Sequence, residues 1–440
     1  MNRSQDIRRN LDWITILTYA VLVIMGLFAI YSAAYSPKHP DLWDISQPYG
    51  KQLMWIGICG LVALFTLNIE GEFFNRFSPI IYAVVMVMLV LVLIVGKKVG
   101  GARSWFGIGS FAIQPSEFAK MATALFMAYT INRAGTRFKS LKNRLKSILL
   151  VAAPACLIML QPDAGTVLVF AGFIFAMYRE GLSGNILIVG FGAVILAVIS
   201  IIMGATTVDY PGYGEASGIF YVGLGIIIAL ILALLAVKFF VLPRFRRRNN
   251  IIVIACTLAA MIFCGGVYTG IEQILKPHQK ERIYILFGLE VSNPDADYNI
   301  RHAKAAIGSG GFTGKGFLQG PMTRYNFVPE QRTDFIYCTI GEEWGFIGST
   351  LVIGIFAFLI LRIIGLAERQ RSTFSRVYGY SVASILFMHL MINVGMVLGL
   401  APVIGIPLPF FSYGGSSLLG FTILIFIMLR LDAERYSVFR

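Results

Sequence analysis

Charge is scarce in this sequence. Only 14% of its 440 residues are Asp, Glu, Lys or Arg, 57% are apolar, and the mean hydropathy is +0.74. Soluble domains carry about 25% charged residues, so this balance excludes an ordinary soluble enzyme and points to a polytopic membrane protein. Acids are scarcer than bases, 23 against 37. Cysteine is scarce and odd in number: Cys59, Cys156, Cys256 and Cys264 lie in apolar runs, Cys338 follows a polar stretch, and none stands at C-x-x-C spacing. They read as small buried residues, not as a metal or redox site. There is no G-x-S-x-G, no H-E-x-x-H, and no carboxylate or His cluster at metal-ligand spacing. The Walker pattern fails because Gly316 follows Lys315. No internal repeat is visible, and the two halves show no matching interrupted helices, which counts against an inverted-repeat transporter.

What is present is apolar helix. A span needs about 20 apolar residues, and twelve candidate stretches occur: 11–34, 52–69, 79–95, 118–131, 148–160, 165–177, 185–204, 219–242, 251–270, 346–366, 378–398 and 415–429. The expectation is an all-α, polytopic integral membrane protein of about twelve transmembrane helices. The basic opening MNRSQDIRRN could start a signal peptide, but the run 11–34 is too long for one and no small-residue cleavage site follows. With the N-terminus cytoplasmic, well over half of the Lys and Arg fall in inner loops, including Arg133 to Lys146, Arg244 to Arg248 and Arg362 to Arg376. The net charge of +14 is then a topology signal and not a nucleic-acid footprint, and both termini are cytoplasmic.

The same assignment leaves a large outer loop, 271–345, whose part from Tyr298 to Gly348 is rich in Gly and basic residues. A membrane protein rarely keeps so much polar sequence at the bilayer without a use for it. Asp334 closes that loop. It reads equally as the cap of the next helix and as a base lifted toward a useful pKa by apolar neighbours. Glu342 and Glu343 follow, on faces about 100° apart, so at most one points with Asp334. The glycines of IGSGGFTGKG, with Lys315, resemble a nest for a phosphate or pyrophosphate. Upstream, Glu117 and Lys120 are spaced to pair on one helix face and are expected to line a cavity. Arg103 and Trp105 are either an interfacial anchor or a cavity wall. QPDAGT, with Asp163, and APVIGIPLPFFSYGGSS break helices near membrane depth, where irregular backbone survives only beside protein or a water-filled cavity.

Several blocks together resemble one family. GARSWFGIGSFAIQPSEFAK, LQPDAGT, AIGSGGFTGKGF, PEQRTDFIY with GEEWGFIGS, and GMVLGLAPVIGIPLPFFSYGGSS follow in the order found in the SEDS proteins (shape, elongation, division and sporulation), from about Trp105 to Ser417. The resemblance implies a peptidoglycan glycosyltransferase of the bacterial inner membrane. Such an enzyme polymerises lipid II on the outer face during elongation and shape maintenance. Its partners would be a class B penicillin-binding protein, the transpeptidase, and other elongation-complex membrane proteins. The resemblance puts the catalytic carboxylate at Asp334 and matches Arg103, Trp105, Glu117, Lys120 and Asp163 to further positions the family needs. Lys315, Arg324, Arg332 and Arg103 are candidates for holding the substrate's pyrophosphate, with Glu343 a further substrate-binding candidate. A divalent cation, Mg or Mn, could share that task. The sequence departs from the family pattern at Arg332, where many members carry His, and in NIRHAKAAIGSGG after Tyr298. The family generally has ten helices, so 205–270 would be an extra transmembrane pair. A lipid II flippase is the competing reading and would spread ionisable residues through midplane helices. Here they crowd at the outer ends.

Overall fold

The computed structural model describes residues 10–37, 39, 41–99, 102–108, 111–134, 140–210, 214–274, 280, 284 and 298–435. The chain divides into two compact units, 1–182 with 299–440, and 183–298. The first begins with α1 (Trp13–Ala34), α2 (Pro48–Asn68), α3 (Gly71–Val95), α4 (Pro115–Ala134), α5 (Leu141–Leu160), α6 (Ala164–Phe170) and α7 (Phe173–Arg179). The second holds α8 (Gly184–Ala205), α9 (Ile219–Phe240) and α10 (Pro243–Thr269). The first unit then resumes with α11 (Tyr298–Gly310), α12 (Pro321–Arg324), α13 (Ile336–Glu368), α14 (Thr373–Leu398) and α15 (Gly415–Ala433).

Among the described residues, ten helices are long and apolar enough to cross a membrane. The expected count of twelve is therefore not reached on length and composition. α4 falls outside the ten and carries Glu117, Lys120 and Arg133, while 164–179 is short and broken at Ala171–Gly172. The helices are also longer than their apolar runs. α13 begins at Ile336, ten residues before the expected 346, because Glu342 and Glu343 are taken into the fold instead of being left at an interface.

Strands occur among the described residues of 97–113. They form a three-stranded antiparallel sheet of β1 (Lys97–Val99), β2 (Ala102–Ile108) and β3 (Phe111–Ile113), in which Arg103 pairs with Lys98 and Trp105 with Lys97. Alternation along β2 puts Arg103 and Trp105 on one face. The second unit has a small hairpin of its own, β4 (Thr207–Tyr210) and β5 (Gly214–Ser217), joining α8 to α9.

The core of the first unit runs through α1, α4, α13, α14 and α15. Helix ends there are sealed by side chains. Asp12 accepts from Thr15 N at 3.1 Å, Ser140 from Asn143 N at 3.4 Å and Asp163 from Thr166 N at 3.0 Å. Of the cysteines, Cys59, Cys264 and Cys338 are buried, whereas Cys156 and Cys256 are exposed on their helices, and all are free thiols. Cys156 and Cys256 thus depart from the expected burial.

Candidate active site

The site is organised by the irregular segment 401–414, between α14 and α15. Its sequence explains the irregularity: three prolines and Gly405 (φ +69°) prevent a helix in a run that is otherwise apolar. Its backbone polar groups must then be met by side chains, since the segment is largely buried. Asn393 Nδ2 donates to Ile406 O at 2.7 Å, His389 Nδ1 lies 3.2 Å from Pro407 O, and Leu408 N donates to Ser412 Oγ at 2.8 Å.

The same segment seats Asp334. Asn393 Nδ2 donates to the Asp334 carbonyl at 2.7 Å, Ser412 Oγ donates to Thr333 O at 2.6 Å, and Tyr413 N donates to Arg332 O at 2.9 Å. Three consecutive backbone carbonyls are thus fixed. A Cβ at Gly405 would stand 3.3 Å from Asp334 Oδ2, so only glycine leaves the carboxylate that room. Asp334 is half-buried, and Phe335, not Asp334, takes the N-cap position of α13. The cap reading of Asp334 therefore gives way.

A second group lies behind the first. Lys120 Nζ on α4 is 2.9 Å from Glu117 Oε2 and 2.9 Å from His389 Nε2, and it stands 4.4 Å from the centre of the Phe421 ring. Lys120 and Glu117 are 2% and 3% exposed, so this pair does not line an open cavity as expected. Breaking a buried pair by removing one partner costs about 3–5 kcal/mol, which makes it a rigid support.

Asp163 forms a third group at the start of α6. Its Oδ2 accepts from Gln114 Nε2 at 3.2 Å and Thr166 Oγ1 at 2.8 Å. Desolvation lifts its carboxyl above the ordinary carboxylate range, against the hydrogen bonds from Thr166. A Cβ at Gly165 would meet Ile404 O at 2.7 Å, so α6 packs closely on the 401–414 segment.

The glycine-rich stretch has a different task from the one its composition suggests. α13 breaks at Gly345 (φ +63°, ψ −157°), and residues 311–316 fill the break. Lys315 N donates to Glu342 O at 3.1 Å and Gly316 N to Glu343 O at 2.9 Å, while Phe346 N and Ile347 N donate back to Gly311 O and Phe312 O. These amides brace a helix kink, which replaces the anion-nest reading. Glu342 accepts from Met322 N, Thr323 N and Thr323 Oγ1 at 2.9, 2.8 and 2.7 Å. Glu343 accepts from Leu318 N at 3.0 Å and from Ser32 Oγ. Lys315 Nζ lies 3.5 Å from Glu342 Oε1 and 2.7 Å from Ser309 Oγ, with 30% of its side chain exposed.

The remaining predicted residues are more open. Arg324 is exposed at the end of α12. Arg332 is half-buried and reaches Ala33 O and Asn326 Oδ1, each at 3.4 Å. Arg103 is exposed and Trp105 half-buried on β2, which packs on α3 and α4. The sheet is tied to the central segment's exit by Gln114 N donating to Ser416 Oγ at 3.0 Å. Among the described residues no three His, Cys, Asp or Glu side chains gather to hold a metal ion. His389 and Asn393 were missed by the reading of the sequence. They are polar residues four apart inside an apolar span, a signal that was available.

The chain matches the FtsW/RodA/SpoVE family, described as cell cycle proteins, over residues 12–212 and 216–437. The peptidoglycan glycosyltransferase RodA of Treponema pallidum is 30% identical over 440 residues, covering 96% of this chain and 98% of that protein. The peptidoglycan glycosyltransferase MrdB of Escherichia coli is 29% identical over 402 residues, covering 91% and 89%. Among solved structures, a chain from a peptidoglycan synthase complex that coordinates polymerization and crosslinking superposes with TM-score 0.69 at 23% identity, covering 97% of this chain and 99% of that one. The rod shape determining protein RodA of Thermus thermophilus gives 0.61 at 22% identity, covering 97% and 98%. These two likenesses bear on the fold alone. With a family match over nearly its whole length, the chain belongs to the FtsW/RodA/SpoVE family.

Proposed function

We propose that this protein is a peptidoglycan glycosyltransferase that polymerises lipid II, with Asp334 as its base. The observation that carries the reading is the seat of Asp334: its backbone is fixed by Asn393 and its carboxylate has the open side of Gly405. That is how a general base is held in place ahead of its substrate. Asp334 takes the proton of the acceptor sugar hydroxyl as that oxygen bonds to the anomeric carbon of the donor. The bond from that carbon to the lipid pyrophosphate breaks, and the pyrophosphate leaves with the electron pair. Arg324, Arg332 and Arg103 suit that departing charge, and Lys315 keeps enough exposed surface to join them while braced by Glu342. Trp105 fits a wall of the site beside Arg103. Glu117, Lys120, Asp163 and Glu343 serve the site by holding its frame, being paired inside the protein.

Both substrates are lipids, and an apolar groove of about 710 Å³ between α1 and α13, lined by Leu17, Val21, Phe346, Leu351 and Phe358, suits a polyprenyl tail. The charge asymmetry of the loops supports the inner membrane of a bacterium, with both termini cytoplasmic and Asp334 outside. The resemblance to the SEDS proteins supports a role in elongation and shape maintenance, with a transpeptidase partner of the class B penicillin-binding type. Within 183–298, α9 and α10 form the extra hairpin.

Purified protein incubated with lipid II tests the reading. Glycan polymer with released lipid pyrophosphate is expected. Passage of lipid II across liposomes by protein that makes no polymer would overturn it in favour of a flippase.

A further inference from the structure

The mechanism leaves His389 without a task, although it is 1% exposed and joins two of the three groups around the site. Its hydrogen bonds fix its form. The Lys120 ammonium can only donate, so the ring nitrogen facing it, Nε2, must accept. The ring's hydrogen then sits on Nδ1, where it donates to Pro407 O. The Lys120 ammonium is fully used in turn, by Glu117, by His389 and by the face of Phe421. Lys120 therefore has no hydrogen left for a lipid headgroup, and its hydrogen-bonded link to the 401–414 segment runs through His389.

His389 and Asn393 stand one helical turn apart on α14 and face the same way. They hold consecutive carbonyls of the 401–414 segment, Pro407 by His389 and Ile406 by Asn393, and Asn393 also holds the carbonyl of Asp334. Gly405, the next residue back along the segment, lies against the Asp334 carboxylate. The geometry points to His389 as a positioning residue for polymerisation. It converts the buried Glu117–Lys120 pair into a fixed height for residues 405–407, and so into the placement of Asp334. The inference rests on Asp334 being the base. It assigns His389 no contact with lipid II and no proton transfer.

The test compares His389→Leu, which removes both hydrogen bonds, with His389→Gln, whose amide can donate toward Pro407 and accept from Lys120. Each is purified, its folded fraction is checked by thermal melting, and kcat and KM for lipid II are measured. His389→Leu is expected to lower kcat by about 10- to 100-fold, the scale of a displaced catalytic group, with KM little changed. His389→Gln is expected to recover most of the loss. A folded Leu variant with wild-type kcat would overturn the inference, and so would a Gln variant as impaired as Leu. If His389→Leu does not fold, His389→Asn takes its place, since its amide is one carbon too short to reach Lys120 and Pro407 together. A kcat well below that of the Gln variant is expected, and equal kcat in the two would overturn the inference. These outcomes are read against wild type that makes polymer and Asp334→Asn that does not, so failure of the base assignment is seen separately.

Discussion

In α8 and α9, 6% of the most apolar stretch is buried within the protein, whereas in α14 and α15 the figures are 67% and 83%. All four helices are apolar enough to cross a membrane. They differ in what they carry. α8 has no charged residue, and α9 has only Lys238 near its end. α14 carries His389 and Asn393, and α15 carries Arg430 and Asp432. A polar group at membrane depth must be paired inside protein, so each one forces its helix inward. Asp432 shows the rule: it accepts from Arg369 and Gln370 at 2.8 Å each and from Arg435 at 3.0 Å. Helices that are apolar all round need only lipid. The few polar residues of the spans therefore mark the helices that the protein packs inside itself.

The comparison predicts unequal costs for similar substitutions. The largest effect should come from Glu342→Ala, which strands the donors of Met322 and Thr323 and leaves Lys315 without its carboxylate. Each buried donor left without an acceptor costs about 1–3 kcal/mol, so folded yield and Tm in detergent should fall sharply. Ile188→Ala on α8, where the side chain is 71% exposed, should stay within about 0.5 kcal/mol of wild type. Equal losses at the two positions would break the comparison.

Glycines sharpen it. Gly345→Ala would force a side chain into left-handed backbone, against Gly314 N and the carbonyls of Gly311 and Phe312, at a cost of about 1–3 kcal/mol. Gly190→Ala on α8 meets nothing within 4 Å and should be neutral or stabilise by up to about 1 kcal/mol. Thermal melting of the two variants reads the difference directly.

Asp163→Asn should be milder still, with a pH signature. Burial raises the Asp163 carboxyl in the folded protein, so its contribution to stability is complete below the unfolded value of about 3.9 and is lost as pH rises through the folded one. Asn keeps the cap on Thr166 N and carries no charge. The variant should match or exceed wild-type Tm at pH 7 and gain relative to wild type on going from pH 4 to pH 7. The opposite trend would mean that the ionised carboxylate is a stabilising partner. The smallest effect should follow removal of the hairpin 219–269, with glycan synthesis per folded protein unchanged.

The spans were legible because twenty apolar residues in a row have few other fates, and the place of Asp334, where a polar loop meets a helix, was legible from the residues around it. What escaped was pairing between distant segments. Nothing local says that Phe312 and Gly316 return to a helix break at Gly345, so the glycines there looked like an anion nest. His389 and Asn393 disappeared into an apolar run because their partners, the carbonyls of Pro407 and Ile406, lie beyond the turn that ends the helix. The sheet at 97–113 was hidden by glycine content, although alternation in ARSWFGI was its local signal. The three-helix grouping of 183–298 was also not apparent, since only a surplus pair could be counted against ten.

The central claim is that the protein's frame exists to hold Asp334 as a base, and Asp334→Asn tests it most directly. The substitution preserves shape and removes the proton acceptor, so the variant should express, fold and bind lipid II. Its rate of glycan polymerisation from purified lipid II should fall by roughly two to four powers of ten. Near-normal polymerisation by the folded Asn variant would contradict the account.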